Sequence, residues 1–200
     1  MIQVLVSDLG QVVLPFDFSP TKEFMRSRSA PGEIDPWTGL FDLHERLNFG
    51  TGGCPAREFY EHIVLELKLD ATYEEFCRAW CDVFVEDHAV VDLIRRANVQ
   101  HRFLLSNTNV IHWDWILANN AEILQVFDRL VASHEVGAAK PDPAIYKHVE
   151  AITGLPSAAH LLIDDLAPNI EGARACGWDG IIHTDANNLE IELRRRGLLR

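Results

Sequence analysis

The chain has few cations to set against its acidic residues. Eighteen lysines and arginines face 30 aspartates and glutamates, a formal net charge of -12 over 200 residues. That shortage argues against non-specific binding to nucleic acid or to an anionic membrane, since both need a basic footprint. Any phosphate site must therefore bring its own local cation or a metal. No segment approaches the roughly 20 consecutive apolar residues that span a bilayer. The opening stretch, Met1 to Asp8, lacks the basic n-region and small-residue cleavage site of a secretory signal. The expectation is a cytoplasmic chain that starts inside its own fold. Cysteines number four, Cys54, Cys77, Cys81 and Cys176, without a C-x-x-C pair, and they read as reduced, mostly buried thiols. Nine histidines show no HExxH or clustered ligand spacing. There is no internal repeat and no low-complexity tract. What remains is ordinary globular composition, 48% apolar and 24% charged, long enough for one domain with a modest insertion.

Residues 2–6 form a short β-branched run that stops at Ser7-Asp8 and then Gly10, which predicts a buried strand followed by a turn. From Ser19 to Asp87 the periodicity is helical, with helices over 21–28, 37–47, 56–67 and 73–85. Asp70, with Glu74 and Glu75, reads as the start of the last one. Gly50-Thr51-Gly52-Gly53 reads as a flexible loop, with an anion nest as the alternative. After His88 the elements alternate: helix 90–98, strand 102–105, a helix from His112, strand 127–132, a helix from Pro143, strand 160–163, helix 168–176, strand 180–183 and a terminal helix. Such alternation predicts an α/β fold, a Rossmann-like parallel sheet with a helical cap inserted after the first strand. The expected organisation is a core of residues 1–15 and 88–200 and a cap of residues 16–87.

In open parallel sheets, ligands bind beyond the carboxyl ends of the strands. Each strand that ends cleanly here hands over to distinctive polar residues: Asp8 after the first, Ser106-Asn107-Thr108 after the second, Asp164-Asp165 after the fourth. The third leads through Gly137-Ala138-Ala139 to Lys140. Taken singly, each has a bland reading. An Asp at a strand end caps a turn, Ser-Asn-Thr-Asn makes an ST-turn or helix cap, and a lone lysine is usually solvated. An Asp-Asp pair ahead of Pro168 suits a helix N-terminus.

Together these stretches resemble the haloacid dehalogenase (HAD) superfamily. Its four motifs stand in order as Val4-Leu5-Val6-Ser7-Asp8-Leu9-Gly10, Leu104-Leu105-Ser106-Asn107, Lys140-Pro141-Asp142-Pro143 and Ile163-Asp164-Asp165-Leu166-Ala167-Pro168-Asn169. The first motif and His44-Glu45-Arg46 are similar to a subgroup that includes a bacterial α-D-glucose-1-phosphate phosphatase. The resemblance implies that Asp8 is a nucleophile forming an aspartyl phosphate. It implies that Asp8, the Gly10 carbonyl and Asp165 hold Mg²⁺, with Asp164 as a second or water-mediated ligand. It implies that Ser106, Asn107 and Lys140 bind the phosphoryl group. Asn169 is a candidate for orienting this shell.

One departure stands out. The family's second Asp, two residues after the nucleophile and acting as general acid and base, is Gly10 here. A group of that kind is typically worth ~10²–10⁴ in rate. The proton comes from a cap residue such as His44 or Glu45, or the leaving group departs unaided, or the enzyme is slow. On the cap, Trp37, Phe41, His44 and Arg46 fall near one helical face; the first three also read as cap core, and Arg46 is the candidate for a distal hydroxyl or phosphate. Trp113 and Trp115 read as packing or dimer residues, and Arg194-Arg195-Arg196 as the last turn of a helix. The expectation is a Mg²⁺-dependent phosphatase of a small phosphorylated metabolite, a sugar phosphate, acting as a monomer or homodimer. Two alternatives stay open: a catalytically silent HAD-fold binding module and, third, a 2-haloacid dehalogenase.

Overall fold

The computed structural model describes residues 1–199. The chain opens with β1 (Val4–Ser7), all four residues buried. Four helices follow: α1 (Ser19–Arg28), α2 (Pro36–Arg46), α3 (Ala56–Leu67) and α4 (Tyr73–Cys81). The alternating half comprises α5 (His88–Arg96), β2 (His101–Ser106), α6 (Val110–Asn119), α7 (Ala121–Leu124), β3 (Arg129–Ala132), α8 (Ser133–Val136), α9 (Pro143–Thr153), β4 (His160–Asp164), α10 (Ala167–Ala175), β5 (Asp179–Ile182) and α11 (Ala186–Arg195). The strands form one all-parallel sheet in the order β3-β2-β1-β4-β5, so the predicted α/β architecture holds. No helix among the described residues is long and apolar enough to cross a membrane.

Two apolar layers clothe the sheet. Leu5, Leu104, Leu161 and Ile163 pack on one face with Val90, Ile94, Trp113, Leu189 and Leu193. Val4, Val6, Phe103, Leu105 and Leu162 pack on the other with Ile145, Tyr146, Val149, Ile170 and Trp178. Strands buried on both faces read as continuous apolar runs, which is why β1 and β4 were legible. Trp113 is thus a core residue, and Trp115 packs against the separate core of the inserted helices.

That third core holds Leu40, Leu43, Phe49, Phe59, Ile63, Phe76 and Trp80. Phe49 and Phe59 stack with centroids 3.9 Å apart, and Trp80 lies 5.6 Å from Phe59. The helices between β1 and α5 are joined to the rest of the chain by two neighbouring segments. Phe16 and Phe84 form an antiparallel bridge, Val85 N–H donates to the Pro15 carbonyl, and Asp87 N–H donates to that of Val13.

Several boundaries differ from expectation for local reasons. Helix α4 starts after Thr72, not Asp70, because Thr72 and Glu75 form a reciprocal capping box. It stops at Cys81, four residues early, because Phe84 and Val85 are drawn into the pairing with Pro15 and Phe16. Strand β3 begins only at Arg129, since Phe127 closes a turn on Leu124. The Gly50–Gly53 stretch is not a flexible loop: residues Phe49–Thr51 form a 3₁₀ turn seated on α8. There Gly52 has φ +79°, and a Cβ on it would lie 2.4 Å from the His134 carbonyl oxygen, so only glycine fits. The arginines 194–196 do end a helix, paired with Glu190, Glu192 and Asp179.

The inserted helices depend on their aromatic stack. Phe59→Ala should cost about 3–5 kcal/mol by the usual transfer and cavity terms. Urea denaturation measures this, and a loss under ~1 kcal/mol would contradict the packed stack.

Candidate active site

The site lies where the strand order reverses, at the carboxyl ends of β1, β2 and β4. Asp8 follows directly from β1, its N–H donating to the Ile163 carbonyl at 2.8 Å. Because β1 pairs with both β2 and β4, its exit loop sits between theirs. Asp8, Asp164 and Asp165 each bring a carboxylate oxygen within 4.8 Å of the others.

Lys140 sits among them with its side chain fully out of solvent. Its ammonium lies 2.7 Å from Asp8 Oδ1, and it donates to Asp164 Oδ2 at 2.7 Å and to the Leu105 carbonyl at 2.8 Å. An ammonium has three donors, so all of them are used. Burial works against the lysine's charge, but Asp8 and Asp164 more than offset it and hold its pKa above the usual lysine value. The Lys140–Pro141 peptide is cis, which the sequence did not signal. Asn107 clamps that backbone from β2: its Nδ2 donates to the Lys140 carbonyl and its Oδ1 accepts from the Lys140 N–H, each at 2.8 Å. The Asn107 side chain is therefore turned to Lys140, so the phosphoryl role expected of Asn107 would fall to its backbone N–H.

Asp164 is saturated. Its Oδ1 accepts from Leu166 N–H and Asn169 Nδ2, and its Oδ2 from Lys140 and again Asn169 Nδ2. Four acceptor directions are thus filled, so Asp164 anchors Lys140 and Asn169 while keeping a carboxylate oxygen within 4.8 Å of those of Asp8 and Asp165. Asn169 is fixed in turn by the Tyr146 hydroxyl, which donates to its carbonyl at 2.7 Å. Asp165 is only half-buried and lines the open crevice. Burial, and then the charge of Asp164, raise its pKa.

Above this floor is a cavity of about 440 Å³, lined by Asp8, Gly10, Ser106, Asn107, Lys140 and Asp165 below and by His44, Glu45, Asn48 and Thr51 from the inserted helices. Ser106 is 3% exposed at the end of β2. Arg46 does not reach the cavity. It points along the α2–α3 surface, where its Nη2 pairs with Glu66 at 2.6 Å, because the helix turn that faces His44 inward faces Arg46 outward. Ser133, which sequence reasoning missed, lines the cavity at the end of β3, fully buried. Its hydroxyl accepts from Thr108 N–H at 2.9 Å and lies 2.6 Å from the Gly50 carbonyl, so it ties the β2 loop to the inserted turn. A small polar residue after a strand is too common to flag. Also unforeseen is Phe16: a Cβ on Gly10 would lie 2.9 Å from its ring, so the ring closes the space beside Gly10.

Residues 56–177 match the family described as haloacid dehalogenase-like hydrolase. The chain belongs to that family. Among HAD relatives, it is 27% identical over 184 residues to Phosphatase MT3486 of Mycobacterium tuberculosis, covering 88% of this chain and 84% of that protein. A HAD family enzyme of Bacteroides thetaiotaomicron, solved in complex with magnesium and inorganic phosphate, superposes with a TM-score of 0.80. It is 25% identical and the match covers 92% of this chain and 95% of that one. A HAD-like hydrolase from Porphyromonas gingivalis matches over 100% of both chains with a TM-score of 0.83 at 22% identity, which speaks for the shared fold. The chain is thus a HAD-family enzyme whose acidic cluster sits at the sheet's carboxyl end.

Burial, opposed by Lys140 and reinforced by Asp164, raises the Asp8 pKa from 3.8 to about 6 in the metal-free protein. Stability from keeping Asp8 protonated is present below its unfolded value and lost as pH rises through about 6. A divalent cation binds the ionised form and so recovers that loss only above this window. Thermal unfolding with and without Mg²⁺ should show little stabilisation near about pH 5 and clear stabilisation near about pH 7.5. Equal shifts at both values, or none at either, would contradict the assignment.

Proposed function

We propose that the protein is a Mg²⁺-dependent phosphatase of a small phosphorylated metabolite, working through an aspartyl phosphate on Asp8. The observation that carries this reading is the trio Asp8, Asp164 and Asp165 around a single buried lysine. Three carboxylates against one ammonium leave an excess of negative charge under the cavity, and the donors are hard oxygens, a set that suits magnesium. Asp8, Asp165 and the Gly10 carbonyl would hold the ion. When bound, it would supply charge neutralisation between the Asp8 carboxylate and an incoming phosphoryl group. A haloacid dehalogenase attacks carbon and needs no such cluster, so the trio favours the phosphoryl reading.

The chain's own residues divide the remaining work. Asp8 presents Oδ2 to phosphorus while Oδ1 is held by Lys140, so one face of the carboxylate is aimed and the other fixed. Lys140 acts through Asp8 first; it meets a phosphoryl oxygen by giving up one of its three protein acceptors. Ser106 and the N–H groups after it offer donors at the end of β2. Asn107 and Asn169 are positioning residues, acting through Lys140 and Asp164. Residues 16–87 act as the cap that closes over the crevice, with His44 and Glu45 on its inner wall as candidate proton donors for the leaving oxygen. A sugar phosphate such as glucose 1-phosphate is the substrate that the D-L-G-x-V motif implies. The four free thiols suit a reducing, cytoplasmic setting.

Phosphate release from acetyl phosphate, with Mg²⁺ and with EDTA, tests the reading. Asp8→Asn should abolish metal-dependent turnover. Asn107→Ala should lower kcat by about 10–100-fold, as removal of a supporting hydrogen-bond shell does elsewhere. Lys140→Met should lose both activity and about 3–5 kcal/mol of stability, because it strands two buried carboxylates. Turnover that survives Asp8→Asn or EDTA would sink the mechanism.

A further inference from the structure

Beside the acidic floor the cavity is lined by aromatic rings, Phe16, Phe18, Phe41, Trp80 and Phe84. Phe84, Phe16 and Phe18 follow one another with centroids 6.0 and 4.6 Å apart, and Trp37, which packs on the core of the inserted helices and does not line the cavity, bridges Phe18 at 5.6 Å and Phe41, edge-on, at 4.7 Å. His112 is set among them, stacked on Phe18 at 5.9 Å and edge-on to Trp80 at 4.6 Å. Burial pushes its pKa down to about 3, against the pull of the Trp80 carbonyl, so it stays neutral. Phe41 lines the cavity with 42% of its surface exposed.

Charge narrows the ligand further. Among the described residues lining the cavity, Lys140 is the one lysine or arginine, and its donors are spent on Asp8, Asp164 and Leu105. Arg46, the cation nearest in sequence, is committed to Glu66 outside. Glu45 adds negative charge at the rim. A second phosphate or a carboxylate on the substrate would find no partner here, and burying it unpaired is costly.

We infer that the organic part of the substrate is an uncharged, apolar group, aromatic by preference, so that the enzyme cleaves an aryl phosphomonoester in preference to a sugar phosphate or a bisphosphate. This rests on the phosphatase reading and departs from it on the leaving group. An aromatic ring entering the row gains offset or edge-on stacking as well as burial. The loop after β1 offers the leaving oxygen no proton, because Gly10 has no side chain and the Phe16 ring fills the space beside it. A phenol, with a pKa near tyrosine's value of about 10, departs as phenolate far more readily than an alkoxide. In the step, Asp8 Oδ2 bonds to phosphorus, the P–O(aryl) bond breaks without prior protonation, and the departed phenolate then takes its proton from His44 or Glu45 on the wall or from solvent. Water then cleaves the aspartyl phosphate to inorganic phosphate.

Two measurements test this. The first compares 1-naphthyl phosphate, glucose 1-phosphate, fructose 1,6-bisphosphate and acetyl phosphate by kcat/KM. The second is calorimetric binding of 1-naphthol and of glucose to the Asp8→Asn protein, which requires no turnover. Naphthyl phosphate should exceed both sugar phosphates by about tenfold or more, the worth of one buried aromatic contact. Phe41→Ser, at an exposed position, and Phe18→Ser should each cut the naphthyl-to-glucose ratio about fivefold. Naphthol should bind where glucose does not. Faster cleavage of a sugar phosphate or bisphosphate, an unchanged ratio in both variants, or binding of glucose alone would overturn the inference and leave the phosphatase reading intact. Naphthol binding with no phosphate release from any substrate would uphold the cavity's preference and remove the phosphatase reading.

Discussion

A lysine ammonium buried between two carboxylates sets the terms for the rest of this molecule. Removed from water, the Lys140 charge is tolerable only with close counter-charges and every donor satisfied, and the fold delivers both through Asp8, Asp164 and the Leu105 carbonyl. Those three partners come from the ends of β1, β4 and β2, so a single atom reads the register of three neighbouring strands. Asn107 and Asn169 then hold the lysine backbone and the Asp164 carboxylate, which makes the floor a closed hydrogen-bond network. Its stability and the orientation of Asp8 are one property: the contact that neutralises the lysine also fixes the Asp8 carboxylate.

The inserted helices answer a different constraint. They bury their own aromatic core, yet Phe41 on the cavity side is 42% exposed, and among the described residues lining the cavity the inserted helices contribute no lysine or arginine. They are held to the sheet through the Pro15–Phe16 and Phe84–Val85 pairing at one side and the Gly50 turn against Ser133 at the other. A chain of net charge -12 has little long-range attraction for an anionic substrate. Under the proposed function, phosphoryl capture would fall to the local floor, and selection among substrates to the wall.

Much of this was legible because of what parallel sheets do to a sequence. Strands buried on both faces become apolar runs, so Asp8, Ser106 and Asp164-Asp165 stand out as the first polar residues after them. Lys140 was legible only through its neighbours Pro141, Asp142 and Pro143. The parts that were not legible share a cause. Whether Arg46 faces inward or pairs with Glu66 depends on the rotation of α2 against α3, and Asn107's turn toward Lys140 depends on a segment 33 residues away. The Gly50–Gly53 stretch read as mobile because glycine signals freedom in a sequence. In the fold the same absence of side chains permits close approach to the His134 carbonyl.

By itself, then, the sequence determined the order of the strands and of the longer helices, the acidic set at the strand ends and the absence of an acid at position 10, since these follow from local periodicity and residue identity. Only the tertiary structure decided that Asp164 is spent on Lys140 and Asn169, that Ser133 joins the cavity, that the Phe16 ring fills the space beside Gly10, and that Phe18, Phe41 and Phe84 line the cavity together with Glu45. Those are matters of which side chains meet across long sequence separations. A hydrogen bond or a van der Waals contact is fixed within a few tenths of an ångström, while the pattern that predicts a helix or strand leaves its rotation and neighbours open.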